Sequence, residues 1–260
     1  MNDLRLAARQ LRYENRSFWR NPAAAFFTFV FPLMFLVIFN LIFGSDTTPR
    51  FCGGGREYSL STFFIPAIAA FSVITACYTN ISIGVVFSRD EGVLKRIRGT
   101  PLPAASYLSA RIVHAILIAI ILVVIVVTFG RAFYDVDLPS ATLPAFVVSL
   151  AVGAACFAAL GLAVTGFIPN PDAAPAVVNA SILPLLFISD VFIPLDSAPK
   201  WLGYFADVFP VKHFSHALIR TYDPCAVGGA WQASDLLVMA AWMVGGLLVA
   251  VKTFSWEPRT

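Results

Sequence analysis

Six long apolar runs, separated by short polar stretches, leave this 260-residue chain little choice of fold. They fall at residues 23–43, 60–87, 104–129, 142–168, 174–191 and 236–251. Crossing ~30 Å of hydrocarbon takes roughly 20 apolar residues in a helix. Lipid offers no partner to a backbone N–H or C=O, so a run of this kind must be a helix, which satisfies its own groups. The composition agrees, with 58% hydrophobic and 13% charged residues and a mean hydropathy of +0.79. The reading is an all-α membrane protein, residues 1–260 forming one transmembrane domain of six spans with little chain left for a soluble catalytic domain. The net charge of +3 is small and its basic residues lie beside apolar runs, which speaks against nucleic acid as a partner. The first run is long enough to span and no small-x-small site follows it, so it is expected to stay and not be removed as a signal peptide.

Residues 1–21 carry Arg5, Arg9, Arg12, Arg16 and Arg20 at steps of three and four, with Leu4, Ala7, Leu11 and Phe18 on the opposite side. That pattern predicts an amphipathic helix on the inner face of the membrane, its arginines on anionic lipid and its apolar side dipping into the acyl boundary. Asn21-Pro22 marks the break before the first span. With this layout twelve basic residues fall on the inner side and six on the outer. Both termini are therefore expected in the cytoplasm of a multi-pass protein of the cell membrane.

The densest charge lies between the second and third runs, in residues 88–100. Ser88 and Glu91 have the spacing of a capping box, Glu91 and Lys95 stand one turn apart, and Lys95, Arg96 and Arg98 gather before Gly99 and Pro101. The spacing predicts a short, self-capped helix at the membrane surface. The plainer alternative is a basic loop that only sets topology.

Span two is the most polar, with Ser72, Thr75, Tyr78, Thr79, Asn80 and Ser82. Such hydroxyls either bond to backbone or line a substrate path. In span three Arg111 is placed to snorkel to the inner interface, and His114 to bond a neighbouring helix. Span four holds so many glycines and alanines that it belongs inside a bundle. Residues 192–224 mix aromatics with prolines and charges, which predicts short helices at the outer interface. His213 and His216 lack a third ligand for a metal. Together with Asp207 they are the acid-base cluster of an alternative reading, an intramembrane enzyme acting on lipid. Cys52 and Cys225 fall in outer loops, as a disulfide or as two free thiols, while Cys77 and Cys156 are small apolar residues of spans. The chain shows no Walker A lysine motif, His-Glu-x-x-His or Gly-x-Ser-x-Gly.

The motif Glu91-Gly92-x-Leu94-x-Arg96-x-Arg98-x-Thr100-Pro101 follows the second span. With the basic N-terminal helix, FIPLDSAPKWL at 192–202 and Pro210-x-x-His213-Phe214, it resembles the type-2 ATP-binding-cassette (ABC) exporter permeases of the daunorubicin-resistance type. The resemblance implies a transport permease, not an enzyme. It implies a homodimer or a pair with a related permease, no cofactor in this chain, and ATP and Mg on a separate ABC ATPase subunit. Residues 88–100 would be the coupling helix, with Glu91, Gly92, Lys95, Arg96 and Arg98 meeting the ATPase, and residues 192–224 would form re-entrant outer helices. Spans two and five would face the path, with Thr75, Asn80, Asn179 and Phe187 as its contact residues. The cargo implied is an amphiphilic drug or lipid-like metabolite, although related permeases move polysaccharides.

Overall fold

The computed structural model describes residues 3–44, 47–48, 58–99, 103–192, 199–224, 226 and 230–255. α1 (Asp3–Trp19) leads into α2 (Pro22–Phe43), where Asn21 caps the helix by accepting the Ala24 N–H at 3.1 Å and Pro22 opens the first turn. β1 (Thr47–Thr48) and β2 (Tyr58–Ser59) form a minimal antiparallel pair, Thr47 opposite Ser59. α3 (Leu60–Ile74), a π turn (Thr75–Thr79) and α4 (Asn80–Asp90) then make one continuous rod. α5 (Val93–Arg98) is short; α6 (Ala104–Tyr134) and α7 (Leu143–Thr165) are long. α8 (Ala174–Phe187), α9 (Lys200–Ala206), α10 (Pro210–Thr221) and α11 (Ala233–Thr253) complete the order.

The α3 rod is the centre of the bundle. Every residue from Phe63 to Ile74 is buried, as a helix without a polar face requires, and α2, α6, α7 and α10 pack around it. α7 lies inside as its small residues lead one to expect. A Cβ on Gly161 would stand 2.9 Å from the carbonyl oxygens of both Cys77 and Tyr78, and one on Gly246 of α11 would stand 3.2 Å from the α7 backbone at Ala159 and Leu160. Large apolar side chains face outward on the periphery, among them Phe26, Leu41, Ile120, Val124, Leu237 and Val251.

Among the described residues, five helical stretches are long and apolar enough to cross a membrane: α2, the rod Leu60–Asp90, Ser106–Tyr134, α7 and α11. The fifth apolar run, read from sequence as 174–191, is the exception. Its helix has 14 residues, about 21 Å at 1.5 Å per residue and so short of a ~30 Å core. Pro175 opens it and Pro184 interrupts it, and Asp190 turns the chain with a left-handed φ of 57°. Other bounds also move. Span three continues past Phe129 to Tyr134, and the last helix begins at Ala233, with Asp235 buried in its first turn.

Candidate coupling segment and substrate path

The charged island is built differently from the capping box that its spacing predicts. Ser88 is still inside α4, its hydroxyl donating back to the Gly84 carbonyl at 2.7 Å, and Glu91 is the C-terminal cap of that helix. The second span therefore carries on into the island as far as Asp90. Gly92 turns the chain with φ 70°, a left-handed conformation that favours a residue without Cβ, and α5 starts at Val93. A Cβ on Gly92 would meet nothing within 4 Å, so glycine stands there for its backbone and not for lack of room within the chain. Leu94 is fully buried and holds α5 down, while Lys95 and Arg96 are exposed. Arg96 donates to the Glu91 carbonyl at 3.1 Å, and among the ion pairs of the described residues the expected Glu91–Lys95 pair does not occur. Arg98 ends α5, with its side chain outside the described set.

Arg89, counted from sequence as one more basic residue of the island, is 3% exposed. Its guanidinium donates to the carbonyls of Thr165 at 3.1 Å and Ile168 at 2.7 Å. Thr165 is the last residue of α7 and its carbonyl one of the helix's orphans, Ile168 lies three residues beyond, and a cation there also suits the negative end of the helix dipole. The signal lay in the spacing Ser82, Val85, Val86, Arg89, one buried stripe of α4 that runs on into the arginine. Arg111 does not snorkel outward. It donates to Tyr107 Oη at 2.7 Å and Ser88 Oγ at 3.2 Å, and comes within 3.9 Å of Glu14 on α1. The partly buried Phe18 packs edge-on against His114 at 5.6 Å, so this part of the α1 apolar stripe meets α6. His114 Nε2 has no hydrogen-bond partner.

Of the path residues, Thr75 and Asn80 come together. Both line a groove of about 200 Å³ whose other wall is α2, at Phe27, Thr28, Phe31 and Pro32. The Thr75 hydroxyl itself donates to the Phe71 carbonyl, and other hydroxyls of the rod are likewise engaged by backbone: Ser72 on Ile68 at 2.8 Å, Ser82 on Tyr78 at 2.5 Å and on Gly161 at 2.9 Å. Phe187 reaches the same neighbourhood through one ring, lying 5.1 Å from Phe192, which is 5.2 Å from Phe71, one turn before Thr75. Asn179 is on the exposed side of α8 and joins none of these contacts, although α8 is tied to the π turn by Ser181 and Tyr78 at 2.6 Å.

The acid-base cluster assembles around a different carboxylate. Both histidines turn Nδ1 to Asp235, His213 at 2.7 Å from Oδ1 and His216 at 2.7 Å from Oδ2. Asp207 offers His213 only its backbone carbonyl, and its carboxylate pairs with Lys212 at 2.6 Å. The result is a clasp between α10 and α11, which separation by 19 and 22 residues hid from a search of neighbours. Cys77 and Cys156 are buried free thiols. Cys52 and Cys225 lie outside the described residues, as does most of the FIPLDSAPKWL segment.

Known proteins resemble the chain over most of its length. The chain is 21% identical over 234 residues to a putative transport permease YvfS of Bacillus subtilis, covering 89% of each. It is 24% identical over 250 residues to a putative transport permease ycf38 of Pyropia yezoensis, with 89% of this chain and 84% of the relative covered. It is 24% identical over 220 residues to the daunorubicin resistance ABC transporter permease protein DrrB1 of Streptomyces coeruleorubidus, covering 82% of this chain and 72% of the relative. Residues 8–222 match the ABC-2 type transporter family, from within α1 to the residue after α10. The chain belongs to the ABC-2 type transporter family.

Proposed function

We propose that this chain is the membrane subunit of an ATP-driven exporter, working as a homodimer or with a related permease and docked on a separate ABC ATPase that carries the ATP and Mg. The observation that carries the reading is the seating of α5. A six-residue helix with an exposed basic face is fixed by the buried Leu94 and joined through Gly92 to α4, which Arg89 in turn locks to the end of α7. A push on Lys95, Arg96 or Arg98 is thereby passed to two spans at once. A free loop that only set topology would need neither the apolar anchor nor the buried arginine.

In this reading the amphipathic α1 lies at the inner membrane surface, both termini are cytoplasmic, and α8 with its flanking residues completes a sixth crossing of the cell membrane. α9 and α10 dip in from the outer side. The groove at Thr75 and Asn80 and the exposed face of α8 at Asn179 and Phe187 border the path between subunits, and the cargo is an amphiphilic drug or lipid-like metabolite. The relative named for daunorubicin resistance supports that class of cargo.

The test is copurification. Tagged permease should retain an ATPase subunit, and Leu94→Asp, which spoils the α5 anchor, should release it while membrane insertion persists. Retention of wild-type ATPase by Leu94→Asp, with insertion intact, would mean that α5 is not the docking element.

A further inference from the structure

A cavity of about 480 Å³ opens between α1, α2, α4 and α6, and its lining is polar at one end. Glu14 and Arg111 stand there 3.9 Å apart, each only 15% exposed, beside His114, whose Nε2 is buried without a hydrogen-bond partner. An orphaned buried nitrogen costs free energy unless something arrives to pair with it. Asn80 and Thr28 line this cavity and also the groove of about 200 Å³ that holds Phe27, Phe31 and Thr75. The two spaces therefore adjoin along the seam between α2 and the α3–α4 rod. The polar end is level with Ser88, to which Arg111 donates, and the apolar end with Thr75, about 20 Å higher at 1.5 Å per residue.

We propose that this seam is the site where a zwitterionic amphiphile is held, its head between Glu14, Arg111 and His114 and its apolar body against Phe27 and Phe31. The inference rests on the exporter reading in taking the bound amphiphile as cargo, and it adds where that cargo is loaded and what charge its head carries. Glu14 and Arg111 bear opposite charges at close range. Glu14 also accepts from Gln10 at 2.9 Å, and a phosphate turned to Arg111 with an ammonium turned to Glu14 complements both charges, whereas a singly charged head leaves one of them facing a like charge with little water to screen it. The gradient from paired charges to phenylalanine rings over the length of the seam has the same order as a head followed by its chain.

The experiment measures binding of three amphiphiles of matched chain length to the purified permease in maltoside micelles: lysophosphatidylcholine, lysophosphatidylglycerol and an alkyltrimethylammonium. The zwitterion should bind about tenfold more tightly than either charged probe. Thr28→Trp, which fills the wall shared by the two spaces, should weaken it by about tenfold with an unchanged melting temperature. Glu14→Gln should erase the disadvantage of lysophosphatidylglycerol. Equal binding of all three probes, or undiminished binding by a stably folded Thr28→Trp, would overturn the proposal. Copurification of the ATPase is scored on the same preparations. ATPase retained without zwitterion preference rejects the loading site alone, and zwitterion bound without any ATPase rejects the exporter reading.

Discussion

The guanidinium of Arg89 donates to the carbonyl of Ile168 at 2.7 Å, so the C-terminal end of the second span and the turn that follows α7 share one buried cation. Arg89→Met should keep the hydrophobic bulk but leave the Thr165 and Ile168 carbonyls unpaired, at a cost of about 1–3 kcal/mol for each buried group. The expected outcome is a permease still inserted, with a lower melting temperature, faster hydrogen exchange across Val93–Arg98 and less ATPase retained. Unchanged exchange in α5 would show that Arg89 does not brace it.

Gly92 separates backbone strain from docking. Its φ of 70° costs a residue with Cβ about 1–2 kcal/mol, and asparagine less. Because nothing within the chain lies within 4 Å of that Cβ, Gly92→Asn should leave α5 and ATPase retention close to wild type, and Gly92→Ala should cost only the strain. Gly92→Trp should lose ATPase beyond the level of Gly92→Ala when the two are matched for stability. Equal retention by the alanine and tryptophan variants would remove Gly92 from the docking surface.

Gly161 touches the Cys77 and Tyr78 carbonyls across the α7 seam, and neither is the end of a flexible side chain that could move aside. Gly161→Ala should destabilise the bundle by about 1–3 kcal/mol, as overpacking does. Gly245 is the control, since a Cβ there meets nothing within 4 Å. Thermal unfolding in detergent should separate the two, with Gly245→Ala neutral or slightly stabilising.

Topology is tested on exposed positions. With the native cysteines replaced, a cysteine at Ser140 should react with an impermeant thiol reagent in intact cells, and one at Lys95 should react only after permeabilisation. The reverse pattern would invert the layout.

What the sequence made legible follows from how far apart the interacting residues are. Apolar runs and the Asn21-Pro22 break are local patterns, and they lie within a few residues of the bounds of four long apolar helices and at the junction of α1 with α2. The short α8 was hidden because an apolar run does not reveal where it stops being helical; Pro184 and the turn at Asp190 decide that. Ser88 and Glu91 had the right letters for a cap, but α4 was already wound through Ser88, and a helix that has started needs no new start. Arg89 read as surface charge because its acceptors lie 76 and 79 residues away. Asp207 was preferred to Asp235 for the same reason, being close to the histidines in sequence while its carboxylate is engaged by Lys212.

The π turn at Thr75–Thr79, where the Asn80 N–H reaches back to the Thr75 carbonyl, sets the angular phase of everything below it. Each residue of an α-helix advances the chain by about 100°, and a π turn takes up an additional one in the winding. The faces of α4 are thus offset from those that α3 would project if it simply continued. Shortening Thr75–Thr79 by one residue would leave the span equally apolar and nearly as long. It would close the turn as ordinary α-helix with Ser82 and Arg89 still on their faces, whereas winding the same residues as α-helix without a deletion would swing both about 100° around the axis, away from Gly161 and Ile168, so the alignment of the island with α7 rests on a turn some fifteen ångströms away.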